Sequence, residues 1–229
     1  MPVSLPEFDA GVLRGLLGAR HGVNDSGDYG FADDGESSLR AVHPQGAALK
    51  PAAVLVLFIA REIGPTILFT QRTAHLTDHA GQISFPGGRV EDGDAHVTAT
   101  ALRETQEETG IDVSGIDILG ELPYYTTGTG YRITPVVGWA STVTGYRPDP
   151  TEVAECFEVP ARFLTDVRNQ RIEQAMYKGR MRSYYAIPYQ HRYIWGATAG
   201  MLVSLTRVLY SGLGIDAGAP VRAAADSGG

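Results

Sequence analysis

Apolar residues recur along this chain with distinct spacings, and each spacing predicts a different element. Val12, Leu13, Leu16 and Leu17 sit at helical intervals and predict a short amphipathic helix over 8–20. AAVLVLFIA (52–60) is a continuous β-branched apolar run, the mark of a buried strand. REIG (61–64) reads as a turn and PTILFTQR (65–72) as the returning strand. Residues 94–109 read as a helix, with Asp94 as N-cap and Gly110 at the C-cap position.

Further strands are predicted at 116–122, 131–140 and 155–160, the last leading into a short helix around ARFLTD. RSYYAIPY (182–189) alternates and reads as a strand, and a helix follows from about Trp195 to Tyr210. Residues 21–50 are rich in Gly, Asp and Ser and read as loop, while the Gly- and Ala-rich segment from Ser211 reads as a frayed tail. The expected organisation is an N-terminal helix and extended lead-in (1–49), a main domain (50–210) and a disordered tail (211–229). Strands on both sides of a central helix, closed by a second helix, predict an α/β (α+β) fold with a mixed sheet between helices.

Composition narrows the class. The chain has 229 residues, 43% hydrophobic and 20% charged, as expected of a globular protein with one substantial core. A formal net charge of −7 argues against holding nucleic acid by bulk charge. A phosphorylated small substrate stays open, because a metal ion neutralises phosphate locally. The single Cys156 allows no internal disulfide; it lies in the apolar run AECFEV and reads as a core residue in a reducing, cytoplasmic setting. The N-terminus lacks the pattern of a secretory signal, and no run reaches the ~18 apolar residues of a membrane span.

The chemistry concentrates in FPGGRVEDGDAHVTATALRETQEETGI, residues 85–111. Glu104, Glu107 and Glu108 stand at i, i+3 and i+4, which places them within a sector of ~100° on one helix face. Local physics disfavours the cluster. Glu104 and Glu108 are a like-charge i,i+4 pair, and the C-terminal half of a helix repels anions. Arg103 offsets part of this by pairing with Glu107. A divalent cation reverses the sign, since Mg²⁺ takes carboxylate oxygens together with phosphate oxygens. A solvated acidic face is the plain alternative for the helix alone. The glycines of Pro86-Gly87-Gly88, which let a backbone approach a ligand closely, weigh against it.

This segment resembles the Nudix box, G-x5-E-x7-R-E-U-x-E-E-x-G-U, at Gly88, Arg103, Glu104, Glu107, Glu108, Gly110 and Ile111. Asp94 stands where the first Glu is expected, one extra residue separates it from Arg103, and Thr105 replaces the apolar U. Upstream, LFTQRTAHLTDHAGQISFPGG (68–88) resembles the signature of the coenzyme A pyrophosphatase subgroup, LLT-x-R-S/A-x3-R-x3-G-x3-FPGG. Leu68, Thr70, Arg72, Gly81 and Phe85 to Gly88 fit, Phe69 and Thr73 are changes, and Thr77 stands where Arg is expected. YRITPVVG (131–138), TEVAECFEVP (151–160) and YIWGATAGML (193–202) extend the resemblance to roughly residues 50–210.

The resemblance implies a Nudix fold and a metal-dependent hydrolase that splits coenzyme A or acyl-coenzyme A into 3′,5′-ADP and (acyl-)4′-phosphopantetheine. Its implied cofactor is Mg²⁺ or Mn²⁺, held by Glu104, Glu107, Glu108 and a carbonyl at Gly88. Glu107, Glu108, Arg103 and Glu152 are the implied catalytic set, with Arg72, Gly81, Phe85, Pro86 and Gly87 at the substrate. The implied partner is the nucleotide substrate, with no nucleic acid and no membrane, and a homodimer is allowed. Rival readings are a Nudix hydrolase of ADP-ribose or a nucleotide sugar, and a non-catalytic nucleotide-binding Nudix domain. The retained box acids weigh against the last. The SQPWPFPxS motif of NADH pyrophosphatases is absent.

Several residues keep two readings. Arg72 binds a phosphate or caps a strand end. Glu152 is an outlying base or ligand, or a surface acid like Glu155. His75, His79 and His96 lack metal spacing and read as loop histidines. Tyr124, Tyr125 and Tyr131 either stack on a base or pack.

Overall fold

The computed structural model describes residues 8–18, 26–27, 48–74, 81–177 and 179–222. Helix α1 (Ala10–Gly18) is followed by a two-residue strand β1 (Ser26–Gly27) and then the central strand β2 (Lys50–Ile59). β2 is buried from Ala52 to Ile59, which accounts for its unbroken apolar run. β3 (Thr66–Arg72) returns antiparallel to β2, with Phe58 opposite Ile67. Two short strands follow, β4 (Ile83–Ser84) and β5 (Gly87–Arg89), and then the central helix α2 (Val97–Thr109).

β6 (Asp117–Glu121), β7 (Tyr125–Thr126) and β8 (Tyr131–Ala140) come next. β8 runs parallel to the whole of β2, with Lys50 opposite Tyr131 and Ile59 opposite Ala140. β9 (Val153–Pro160) pairs antiparallel with β3 and leads into the short helix α3 (Ala161–Leu164). These strands form one mixed sheet. Its main path is β1-β7-β8-β2-β3-β4, with β5 on β2, β6 on β8 and β9 on β3. β10 (Arg171–Tyr177), β11 (Arg180–Tyr189), β12 (Arg192–Trp195) and β13 (Val221–Arg222) form a second sheet, interrupted in the chain by helix α4 (Gly196–Gly212).

The two faces of β2 decide the layers. Ala53, Leu55, Leu57 and Ile59 join Ala101 of α2 and Ile111 in one cluster. Val54, Val56 and Phe58 join Leu13, Leu16 and Leu17 of α1 and Leu202, Leu205 and Leu209 of α4 in the other. The sheet therefore lies between α2 on one side and α1 with α4 on the other, the expected α/β/α layering. Each fully buried Leu or Phe here contributes about 1.5–3 kcal/mol of burial.

Three sequence expectations are corrected. The second sheet was read only at β11, because RIEQAMY is exposed along most of β10 and carries no burial period. The boundary at 211 falls inside α4, and Val221 donates to Gln170 O (2.8 Å), so part of the expected tail pairs with β10. The helix expected from 94 begins at Val97. Most of the 21–50 loop and residues 223–229 lie outside the described residues. No helix among the described residues is long and apolar enough to cross a membrane.

Candidate active site

The glycine turn is held from below by stacked rings. Phe85, 1% exposed, stacks on Phe69 at 5.0 Å, and Phe69 stacks on Phe157 at 5.6 Å. Leu55 N–H donates to Pro86 O (2.9 Å), which starts the β5 pairing on β2. Phe85 and Pro86 were expected at the substrate. Both are buried, so the ring fills the core and the pair positions the turn instead.

Both glycines are required by close approach. Gly87 has φ 154°, and a Cβ there would lie 2.3 Å from Ala53 O. At Gly88 a Cβ would lie 2.3 Å from Glu104 Oε1. Gly88 stands opposite Ala53, between the Leu55–Pro86 and Pro51–Val90 hydrogen bonds. Antiparallel alternation makes that a hydrogen-bonded pair, so the Gly88 carbonyl faces β2. The Gly88 carbonyl, expected as a metal ligand, is thus directed at β2, while the polar groups of Gly87 face away from β2. The Gly87 N–H meets Glu108 Oε2 at 3.3 Å.

α2 presents its acids unequally. Its N-cap is His96, whose Nδ1 accepts from Ala99 N–H (3.1 Å), and Gly110 closes it at φ 69°. Asp94, expected as the cap, is drawn off by Arg103, which donates from Nε and Nη2 at 3.0 Å each. Thr100 Oγ1 (2.8 Å) and Glu91 N–H (3.0 Å) also donate to it. Arg103, then the Glu91 N–H, hold Asp94 well below the usual carboxylate range. Arg103 also donates to Glu104 Oε1 (3.1 Å), Glu107 Oε2 (3.0 Å) and Arg89 O (3.2 Å), so one guanidinium ties together the turn, the loop and the helix. Thr105, in place of the apolar residue, is buried, and its hydroxyl is satisfied by Ala101 O at 2.6 Å.

Glu108 is 5% exposed and Glu104 is half-buried, and both face the turn. Burial pushes Glu108 up to about 8; the Gly87 N–H opposes this, Glu104 adds to it, Arg72 opposes and Glu152 adds. Burial likewise raises Glu104, against the pull of Arg103. Glu107 is 59% exposed at its side chain and rests on Arg103. The three-acid set expected from spacing is therefore not gathered. Among the described residues no three His, Cys, Asp or Glu side chains converge on one point. The i,i+4 partner Arg103 claims Glu107, while the turn claims the other two.

Two outlying residues are brought in by the loop before β9. Thr73 N–H donates to Glu152 O (2.9 Å) and Asp149 N–H to Glu108 O (3.1 Å), which anchors that loop between β3 and the end of α2. Glu152 is exposed, and its charge reaches both Glu104 and Glu108. Arg72, at the irregular end of β3, acts on Glu108, and its buried Nε has no hydrogen-bond partner among the described residues.

Other candidates separate from this group. Glu155 pairs with Arg192 at 2.7 Å. Gly81 takes φ 71° and accepts from Gln71 Nε2 at 3.4 Å. Tyr125 is buried against Gly200 of α4, whereas Tyr124 is exposed and Tyr131 half-exposed. Cys156 is half-buried and its thiol is pushed up to about 11, chiefly by burial. His75, Thr77 and His79 lie outside the described residues. Sequence reasoning passed over Arg89 and Lys50. Only the register reveals that they meet beside the turn.

The donor chemistry suits a hard divalent cation. Glu108 is a buried carboxylate with one long N–H contact, and Glu104 lies beside it, so oxygen donors are present where burial disfavours their negative charge.

The family model described as NUDIX domain matches residues 49–175. An uncharacterized Nudix hydrolase NudL of Pectobacterium atrosepticum is 41% identical over 171 residues, covering 73% of this chain and 85% of that protein. Its counterpart in Escherichia coli O1:K1 is 38% identical over 156 residues, covering 68% and 81%. Among solved structures, a C. elegans Ap4A hydrolase in a binary complex aligns with a TM-score of 0.42 and 19% identity, over 48% of this chain and 80% of that one. A MutT/nudix family protein from Enterococcus faecalis aligns with a TM-score of 0.44 and 16% identity, over 75% and 70%.

Proposed function

Because the chain belongs to the Nudix hydrolase family, whose members generally use divalent metal ions to act on nucleoside diphosphate derivatives, we propose that its substrate is coenzyme A or an acyl derivative. The products are 3′,5′-ADP and 4′-phosphopantetheine or its acyl form. The observation that carries the reading is the packing of Glu104 and Glu108 against Gly87–Gly88, with Arg103 and Arg72 close by. The substrate is argued from the 68–88 pattern, where Arg72, Gly81 and the Phe85–Gly88 turn match the coenzyme A subgroup.

Glu104 and Glu108, with Glu107 beside them and the Gly87 carbonyl, are the donors that would hold Mg²⁺ or Mn²⁺. When bound, such an ion neutralises the diphosphate and lowers the pKa of a coordinated water. The protein's own groups do the rest. Arg103 orients Glu104 and Glu107 through its hydrogen bonds. Glu152, exposed beside the acids, takes the proton of the attacking water. Water oxygen bonds to one phosphorus, the bridging P–O bond breaks, and the other phosphate departs. Arg72 offers its unpartnered Nε–H to a phosphate oxygen.

One feature favours a second reading. Thr77 replaces an Arg of the subgroup pattern, so another diphosphate such as ADP-ribose is the alternative. The deciding assay incubates the chain with coenzyme A and magnesium and follows 3′,5′-ADP by chromatography. Glu107→Gln and Glu108→Gln should each lower kcat by roughly a hundredfold or more. Absence of 3′,5′-ADP, alongside brisk hydrolysis of ADP-ribose, would transfer the assignment to the alternative.

A further inference from the structure

The turn carries a second charged feature, of opposite sign, on the other side of the sheet. In register, Lys50 of β2 stands opposite Tyr131 of β8, and Arg89 of β5 stands opposite Ala52 of β2. Strand alternation places Lys50, Ala52, Tyr131 and Arg89 on the face that also carries Val54, away from α2. The contacts agree. Arg89 Cζ lies 5.3 Å and Lys50 Nζ 5.8 Å from the Tyr131 ring centroid, and Arg89 Nη2 donates to the Tyr131 hydroxyl.

Two cations thus share one ring in a chain of net charge −7. Neither forms an ion pair with a carboxylate among the described residues. No carboxylate among the described residues neutralises them, and Lys50 and Arg89 are both exposed. The patch is one peptide from Gly88, and Arg89 O accepts from the same Arg103 that holds Glu104 and Glu107. The acids facing Gly87–Gly88 and the Lys50–Arg89 patch thus border the same turn from opposite faces of the sheet.

We propose that Lys50, Arg89 and Tyr131 form a subsite for a phosphate monoester on the nucleoside half of the substrate. Its chemical class is a nucleoside diphosphate derivative bearing an additional ribose phosphate. The guanidinium and ammonium take the phosphate oxygens, and the ring fixes both cations beside the ribose. This deepens the coenzyme A reading and rests on it, since coenzyme A carries a 3′-phosphate and ADP-ribose does not. Specificity then comes from charged groups that a substrate without that phosphate leaves unpaired.

The test is calorimetric titration of the full chain with 3′,5′-ADP and with 5′-AMP in magnesium buffer, alongside the ratio of kcat/KM for coenzyme A to that for its 3′-dephospho form. The native chain should bind 3′,5′-ADP about tenfold or more tightly than 5′-AMP, the size expected of charge-assisted contacts. Arg89→Met should shrink both preferences, and Lys50→Met combined with it should bring them to within about twofold. Arg132→Met removes the same charge from the opposite face of β8 and should keep them. Equal affinities in the native chain, a preference that survives the double variant, or equal loss in Arg132→Met overturns the subsite. A preference for 3′,5′-ADP that vanishes in the double variant, in a chain releasing none of it from coenzyme A, supports the subsite and overturns the substrate reading instead.

Discussion

Glu108→Gln should make the metal-free protein more stable while removing its activity. Glu108 is 5% exposed, has one N–H contact at 3.3 Å, and is pushed from 4.5 up to about 8 by burial. A displacement of that size is roughly 5 kcal/mol against the charged form in the folded state. Local relaxation and water entry reduce this, so a gain of about 1–3 kcal/mol is the working expectation for the variant near pH 8. For a chain of this length that is a rise in Tm of about 2–4 °C per kcal/mol.

The folded value lies above the unfolded one, so the native state holds more protons between about pH 4.5 and 8 and the native protein loses stability as pH rises through that window. Glutamine does not titrate. The advantage of the variant should therefore be small near pH 5 and grow toward pH 8. Thermal melts of both proteins in chelator, at intervals from pH 5 to 8.5, read this directly. Magnesium should then stabilise the native protein more than the variant. A variant that melts at or below the native protein across the whole range, or an advantage that does not change with pH, would refute the account of Glu108 as a strained, uncompensated acid.

Two further outcomes follow from the geometry. Gly88→Ala drives a methyl to 2.3 Å from Glu104 Oε1, so the carboxylate must leave the turn; kcat should fall by roughly a hundredfold, with the circular dichroism spectrum retained. Arg61 donates to Glu158 at 2.7 and 2.9 Å beside the apolar cluster under α2, where Thr66 and Tyr146 also donate. Burial pushes Glu158 up, but those bonds outweigh it and hold it down at about 2. Its contribution is present above the unfolded carboxylate value and lost as pH falls toward 2. Arg61→Ala should lower the urea midpoint, by the equivalent of about 1–3 kcal/mol, and flatten the acid limb of the stability curve, with kcat per folded molecule kept.

Elements with a burial period were legible in the chain. β2 and β3 announce themselves by apolar runs, and α4 by a long apolar stretch with helical spacing. Gly110 was readable as a helix stop because αL backbone favours glycine. β10 was not, since its exposed residues show no period, and neither were β12, a four-residue return on β11, and β13, a two-residue edge pairing with the distant β10. The helix start was misread for a related reason. Asp94 is an excellent cap by type, but Arg103, nine residues later, offers it stronger charge-assisted bonds and His96 takes the cap.

The order of residues by itself determined that a glycine turn precedes a helix with three acids on one side, because spacing along a helix converts directly into angle. It likewise determined the layers, because the apolar runs leave no other way to bury β2. Only the tertiary structure decided how the three acids divide, with Glu104 and Glu108 against the turn and Glu107 on Arg103. It alone brought Glu152 and Arg72 into their field, and it alone placed Lys50 and Arg89 around one tyrosine. Those groups are far apart in the chain, and electrostatic and hydrogen-bond energies depend on distance and burial, which no local pattern encodes.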